Sequence, residues 1–292
     1  MMRIISLLSA VALASCFGAA LAAADPVKVV ASENFYGDLA QQIGGANVEV
    51  TSILTNPDQD PHLFEASAST ARDLAAAKVV IVNGADYDPW MEKLLSANKA
   101  PGRKEIVVAK LVHKKNGDNP HLWYDPATIQ AFAKVFAAEL SSMDPAHKAD
   151  YEKGAGRLAE ALKPLEAKLA EMKEKYAGQP VTASEPVFGY MAQAIGLKMR
   201  NERFQLAVMN DTEPSASDIA AFENDLKNHK VKVMLYNSQA SDPAVQRLVG
   251  IARQSNVPVV GVTETEPAGK NYQEWMLDQL NALDRALAGR NS

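Results

Sequence analysis

The chain has 292 residues, a single cysteine and a formal net charge of −5. Its basic residues are scattered rather than clustered, which argues against a nucleic-acid surface. Beyond Cys16 no disulfide or thiolate metal site can form, and the length suits two domains with a substantial core.

Residues 1–24 read as an export signal. Arg3 supplies the positive start, and residues 4–13 form an apolar stretch too short to span a bilayer. Ala20-Leu21-Ala22 and Ala22-Ala23-Ala24 offer small-residue cleavage sites, whereas Leu13-Ala14-Ser15-Cys16 resembles a lipidation site. A cleaved, periplasmic product is expected, with a lipoprotein anchored through Cys16 as the alternative.

From residue 25 onward, short apolar runs alternate with helical patterns. Strands of a buried parallel sheet are predicted over 27–31, 48–53, 79–82 and 106–108. Helices are predicted over 35–43, 70–77, 90–95 and 126–140. A long helix is predicted over 145–176, with Asp144 as its cap and Pro145 at its first position. Leu158, Leu162, Leu165, Leu169, Met172 and Tyr176 form one apolar stripe along it, suited to lying against both halves. Pro164 weakens the rival reading of that stripe as a coiled coil, so a monomer is expected. The pattern then repeats, with strands predicted over 180–183, 204–207, 231–236 and 257–262. A helix after Pro214 opens on Ser215-Ala216-Ser217-Asp218, a capping-box pattern. The expected fold is α/β: two α/β lobes with mainly parallel sheets, residues 25–144 and 178–292, joined by one rigid helix over 145–177.

Of five histidines, two occupy matched settings. His62 lies in Asp60-Pro61-His62-Leu63-Phe64-Glu65, and His121 in Asn119-Pro120-His121-Leu122-Trp123-Tyr124-Asp125-Pro126. The preceding proline stiffens each loop, as a ligand aimed at a fixed point requires. Open α/β sheets bind ligands beyond the carboxyl ends of their strands. His62 and His121 follow first-half strands, Glu185 follows 180–183, and Glu264 and Glu266 follow 257–262. Neutral imidazoles with carboxylates suit Zn²⁺, Mn²⁺ or Fe²⁺, and two carboxylates neutralise the ion's charge. Asp60, Glu65 and Asp125 are candidates to accept the other ring N–H, helix capping being their ordinary alternative. Trp123, Phe188 and Tyr190 are expected to wall the site, and His113, His147 and His229 to lie on the surface.

Both histidine motifs resemble the first two ligand motifs of the metal-specific (cluster A-I, zinc/manganese) solute-binding proteins of bacterial ABC importers. Ser184-Glu185-Pro186-Val187-Phe188-Gly189-Tyr190 resembles the third motif, in which zinc members usually carry His and manganese members Glu. Thr263-Glu264-Thr265-Glu266-Pro267 falls at the fourth, where Asp is usual; the register favours Glu266, with Glu264 as the alternative. Tyr236-Asn237-Ser238-Gln239 stands where many relatives have an acidic residue after the strand.

The resemblance implies one divalent ion as cargo, held by His62, His121, Glu185 and Glu266 between the lobes. Mn²⁺ stands slightly ahead of Zn²⁺, and Fe²⁺ is admitted. It implies capture rather than catalysis, and as partner an ABC membrane permease with its cytoplasmic ATPase. One rival is a metal-dependent hydrolase, for which no His-Glu-x-x-His helix is present. The other is an adhesion or interaction protein on the same scaffold.

Overall fold

The structure, a computed structural model, describes residues 25–56, 64, 67–239 and 243–289. The export segment and three residues of the expected site, Asp60, His62 and Glu65, lie outside these residues.

The first half runs β1 (Val27–Glu33), α1 (Asn34–Gly44), β2 (Val48–Leu54), α2 (Ala68–Ala76), β3 (Val79–Val82), α3 (Pro89–Ala97), β4 (Lys104–Val107), α4 (Val108–Leu111) and α5 (Pro126–Met143). Its sheet is parallel, in the order β2-β1-β3-β4. The inner strand β3 is Val-Val-Ile-Val and buried throughout, the continuous apolar run expected where helices cover both faces.

After α6 (Lys148–Tyr176), the second half runs β5 (Pro180–Ala183), α7 (Gly189–Ile195), β6 (Lys198–Arg200), α8 (Glu202–Met209), α9 (Ala216–Lys227), β7 (Met234–Asn237), α10 (Pro243–Gln254), β8 (Val259–Val262) and α11 (Tyr272–Leu287). Its sheet is also parallel, in the order β6-β5-β7-β8. Among the described residues no helix is long and apolar enough to cross a membrane.

One expected strand is wrong. Residues 204–207 lie in helix α8, and the edge strand is β6. The run is apolar on one helical face only. Phe204 is buried edge-on against Phe222, with ring centroids 5.0 Å apart, while Leu206 is exposed. Short apolar runs do not distinguish helix from strand, and Lys198-Met199-Arg200 is too charged to read as one. Such short, charged strands are typical of sheet edges.

The long helix α6 has 29 residues, roughly 44 Å at 1.5 Å per residue. All six residues of its expected stripe are buried, joined by Tyr151 and Gly154. The helix passes Pro164 without interruption and packs on α1, α5, α7 and α11. One apolar cluster therefore runs from Val29 and Ile81 of the first sheet, through Leu158 to Tyr176, to Val181 and Leu235 of the second. Asp144 differs from expectation. A 3-10 turn, Pro145–His147, precedes α6, and the Asp144 carboxylate accepts from His147 Nδ1 and Tyr151 Oη, each at 2.7 Å, instead of capping backbone. In the second half, Ser215 does cap α9, but Asp218 turns its carboxylate onto the Ser215 hydroxyl rather than its N–H. The complete capping box belongs to Asn271 and Glu274 at the start of α11.

Helix α11 crosses back to the first half. Tyr272 N donates to Asp38 of α1 at 3.0 Å, and the Tyr272 hydroxyl donates to the Trp123 carbonyl at 2.6 Å. The lobes are thus tied by both α6 and α11.

Candidate metal centre

His121 is 1% exposed and sits on the segment between α4 and α5. Its Nδ1 lies 2.6 Å from Asn119 Oδ1. Asn119 Nδ2 donates to the Pro186 carbonyl at 2.8 Å, which fixes the amide orientation and makes Oδ1 the acceptor. Nδ1 therefore carries the proton, and in the neutral ring Nε2 holds the lone pair, the tautomer a metal ligand needs. The ring packs edge-on against Trp123, with centroids 5.4 Å apart.

Across the lobe boundary, Glu264 is 5% exposed, and its Oε2 lies 3.9 Å from His121 Nε2. Tyr87 Oη donates to the same oxygen at 3.0 Å, and Asn237 Nδ2 donates to Oε1 at 2.5 Å. Burial, then the charge of Glu264, pushes the Tyr87 phenol well above its usual range, so it acts as a donor. Gln239 secures the backbone beneath, its Oε1 accepting from the N–H of Glu264 at 2.5 Å and of Thr265 at 3.2 Å. Glu185 follows β5 and precedes the 3-10 turn Pro186–Phe188 without capping it. Its Oε2 lies 3.4 Å from Asn237 Nδ2.

The sequence register favours Glu266, yet Glu264 is the residue beside His121. Glu266 faces α1 instead, with Asn34 bonding both its N–H, at 3.1 Å, and its carbonyl, at 2.7 Å. Burial, with Asp38 and Glu274 nearby, pushes its carboxyl up to about 9. Asp125 accepts from Ala127 N and the Thr128 hydroxyl, each at 3.1 Å, as the cap of α5; the partner of His121 is Asn119. Among the described residues no three His, Asp, Glu or Cys side chains converge at ion-binding distance. Trp123 does wall the His121 ring, Phe188 packs on Tyr124 in the core, and Tyr190 Oη holds the Asn119 carbonyl at 2.7 Å. His113 and His229 are exposed, and His147 is half-buried on Asp144.

Tyr87, Asn119, Asn237 and Gln239 are the residues that the ligand pattern alone misses. Tyr87 comes off a turn held in left-handed conformation at Gly84, Ala85 and Asp86, with φ of 77°, 53° and 64°. The buried Asp88 carboxylate closes that turn by accepting from the N–H of Asn83 and Gly84, each at 2.8 Å. Asn83 Nδ2 in turn donates to the Pro120 carbonyl at 2.9 Å, next to His121.

Behind Asp88 lies Glu33, fully buried, with Ser32 Oγ 2.8 Å from its Oε2 and 2.7 Å from Asp88 Oδ2. One hydroxyl hydrogen cannot serve both carboxyls. Burial, then the Asp88 charge, raises the Glu33 carboxyl well above its usual value of 4.5, so Glu33 keeps the proton. The unfolded chain loses that proton above pH 4.5, so the folded form binds more protons there and stability falls as pH rises. Metal-free protein should therefore lose up to about 1.4 kcal/mol per pH unit from this group above that pH. Denaturant unfolding from pH 5 to 8 measures the summed slope, to which the raised Glu266 carboxyl also contributes, and Glu33→Gln should make it shallower; an equal slope in both proteins would refute the assignment.

The solved structure of the periplasmic zinc binding protein TroA from Treponema pallidum matches with a TM-score of 0.76 and 18% identity, over 90% of this chain and 99% of that one. The solute-binding protein FpvC from Pseudomonas aeruginosa, solved in complex with Mn²⁺, matches at 0.76 and 21%, over 91% and 100%. In sequence, the manganese ABC transporter substrate-binding lipoprotein PsaA of Streptococcus mitis is 24% identical over 96% of each chain. A family model matches residues 29–286, nearly the whole span from β1 to the end of α11. Both lobes, helix α6 as the strut between them and all the candidate ligands fall within that match, and the chain belongs to the family of periplasmic zinc-uptake complex component A.

Proposed function

We propose that this chain is an extracytoplasmic solute-binding protein that captures one divalent transition-metal ion, Mn²⁺ or Zn²⁺ with Fe²⁺ admitted, and delivers it as a monomer to an ABC permease. The ligands are His62, His121, Glu185 and Glu264. The observation that carries the reading is His121, its Nδ1 anchored by Asn119 and its Nε2 aimed at buried Glu264 of the opposite lobe. Two imidazoles and two carboxylates form a harder set than three imidazoles, which moves the preference toward Mn²⁺. Export through the first 24 residues, or anchoring at Cys16, accords with capture outside the cytoplasm.

Glu266 supports a second assignment of the fourth ligand, because its Oε2 is buried without a hydrogen-bond partner among the described residues. The choice is testable by calorimetry. Glu264→Gln should weaken Mn²⁺ and Zn²⁺ binding by more than about 100-fold, beyond the range of an outer-sphere partner, and Glu266→Gln by less than about tenfold. The reverse order would make Glu266 the ligand.

A further inference from the structure

Asn237 ends β7, which lies between β5 and β8 in the sheet. A residue at that position sits between whatever follows the two flanking strands, here Glu185 and Glu264. Its side chain is 4% exposed, and its orientation is fixed independently of the carboxylates. The N–H of Gln239 donates to Asn237 Oδ1 at 3.0 Å, a bond an amide nitrogen could not accept, so Nδ2 faces the site. That nitrogen has two hydrogens and two neighbours, Glu264 Oε1 at 2.5 Å and Glu185 Oε2 at 3.4 Å. The other oxygen of Glu264 is the one near His121 Nε2.

We propose that Asn237 is a specificity-determining positioning residue: one amide engages an oxygen of each carboxylate, so that Glu185 and Glu264 each present a single oxygen to the ion. The inference rests on the ligand set proposed above. Its consequence is coordination number. Two imidazoles and two single carboxylate oxygens make a four-coordinate set, the geometry Zn²⁺ favours. Carboxylates free to turn both oxygens inward build toward the octahedral, oxygen-rich set that suits Mn²⁺. Asn237 thus opposes the manganese bias of a site built with two glutamates. An acidic residue at the same position has no hydrogens to give and repels both neighbours, so it cannot do this.

The test uses metal-free mature protein, its Asn237→Asp and Asn237→Ala variants, and His121→Ala. Asn237→Asp is the isosteric change; it keeps an acceptor for the Gln239 N–H but replaces the donor with a negative charge, whereas Asn237→Ala removes the donor without adding charge. Zn²⁺ and Mn²⁺ affinities are measured by competition, and Co²⁺ is added as a spectroscopic probe, its visible absorption weakening as coordination number rises. Both Asn237 variants should lower the ratio of Zn²⁺ to Mn²⁺ affinity by about 10- to 100-fold, the range seen when outer-sphere partners of metal ligands are removed. Their Co²⁺ bands should weaken relative to the parent protein. An unchanged ratio and unchanged Co²⁺ spectrum in Asn237→Asp would overturn the proposal, and so would a uniform loss of affinity for both ions. Failure of the ligand set itself reads differently: the parent protein would bind neither ion, or His121→Ala would bind as well as the parent.

Discussion

Replacing His121 by alanine is expected to lower affinity for Mn²⁺ and Zn²⁺ by more than about 100-fold while the fold survives. The loss should exceed that of an outer-sphere change, because a donor atom is removed rather than reoriented. Survival of the fold follows from the surroundings. Asn119 keeps its bonds to the Pro186 carbonyl and, through its own carbonyl, to Tyr190, so the loop stays pinned across the lobes. The vacated ring leaves space beside Trp123 and Tyr87, costing about 1–3 kcal/mol of stability. Calorimetric titration gives the affinity and a thermal melt the stability. Tight binding by the variant would remove His121 from the ligand set, and with it the main support for the proposed function.

Gly154→Ala should be the most damaging small substitution in the strut. A Cβ at this position would stand 1.9 Å from the carbonyl oxygen of Ile43 and 2.8 Å from its carbon. Both are backbone atoms at the end of α1, so no side chain can swing aside; α6 must lift from α1 instead. A cost of about 3 kcal/mol is expected, the upper end for overpacking. Gly156, two residues on, supplies the control, since a Cβ there meets nothing within 4 Å. Gly156→Ala should stabilise by up to about 1 kcal/mol through helix propensity alone. Opposite signs in urea unfolding would establish that α6 is seated on α1 at Gly154, whereas equal effects would deny it.

The alternation of strands and helices was legible because the inner parallel strands are covered on both faces, which demands continuous apolar runs such as Val79–Val82. The strut was legible because a helix packed along its whole length repeats its apolar residues with the helical period, from Leu158 to Tyr176. The His121 loop could be found because Pro-His-Leu-Trp is a local pattern. Residues 204–207 misled because the apolar residues of one helical face and of a short strand look alike over four positions.

The site's remaining parts depend on neighbours far apart in the chain. Whether Glu264 or Glu266 meets His121 depends on how the chain leaves β8, where Gln239 holds the backbone of Glu264 and Asn34 that of Glu266. Tyr87 reaches Glu264 across 177 positions, and Asn237 reaches both glutamates because β7 lies between β5 and β8. Local chemistry, a proline before a histidine or a leucine every third or fourth residue, is written in adjacent letters and can be read from them. Strand order and lobe packing are set by the summed burial of the whole chain, and they alone decide which carboxylate, amide and phenol surround a given imidazole.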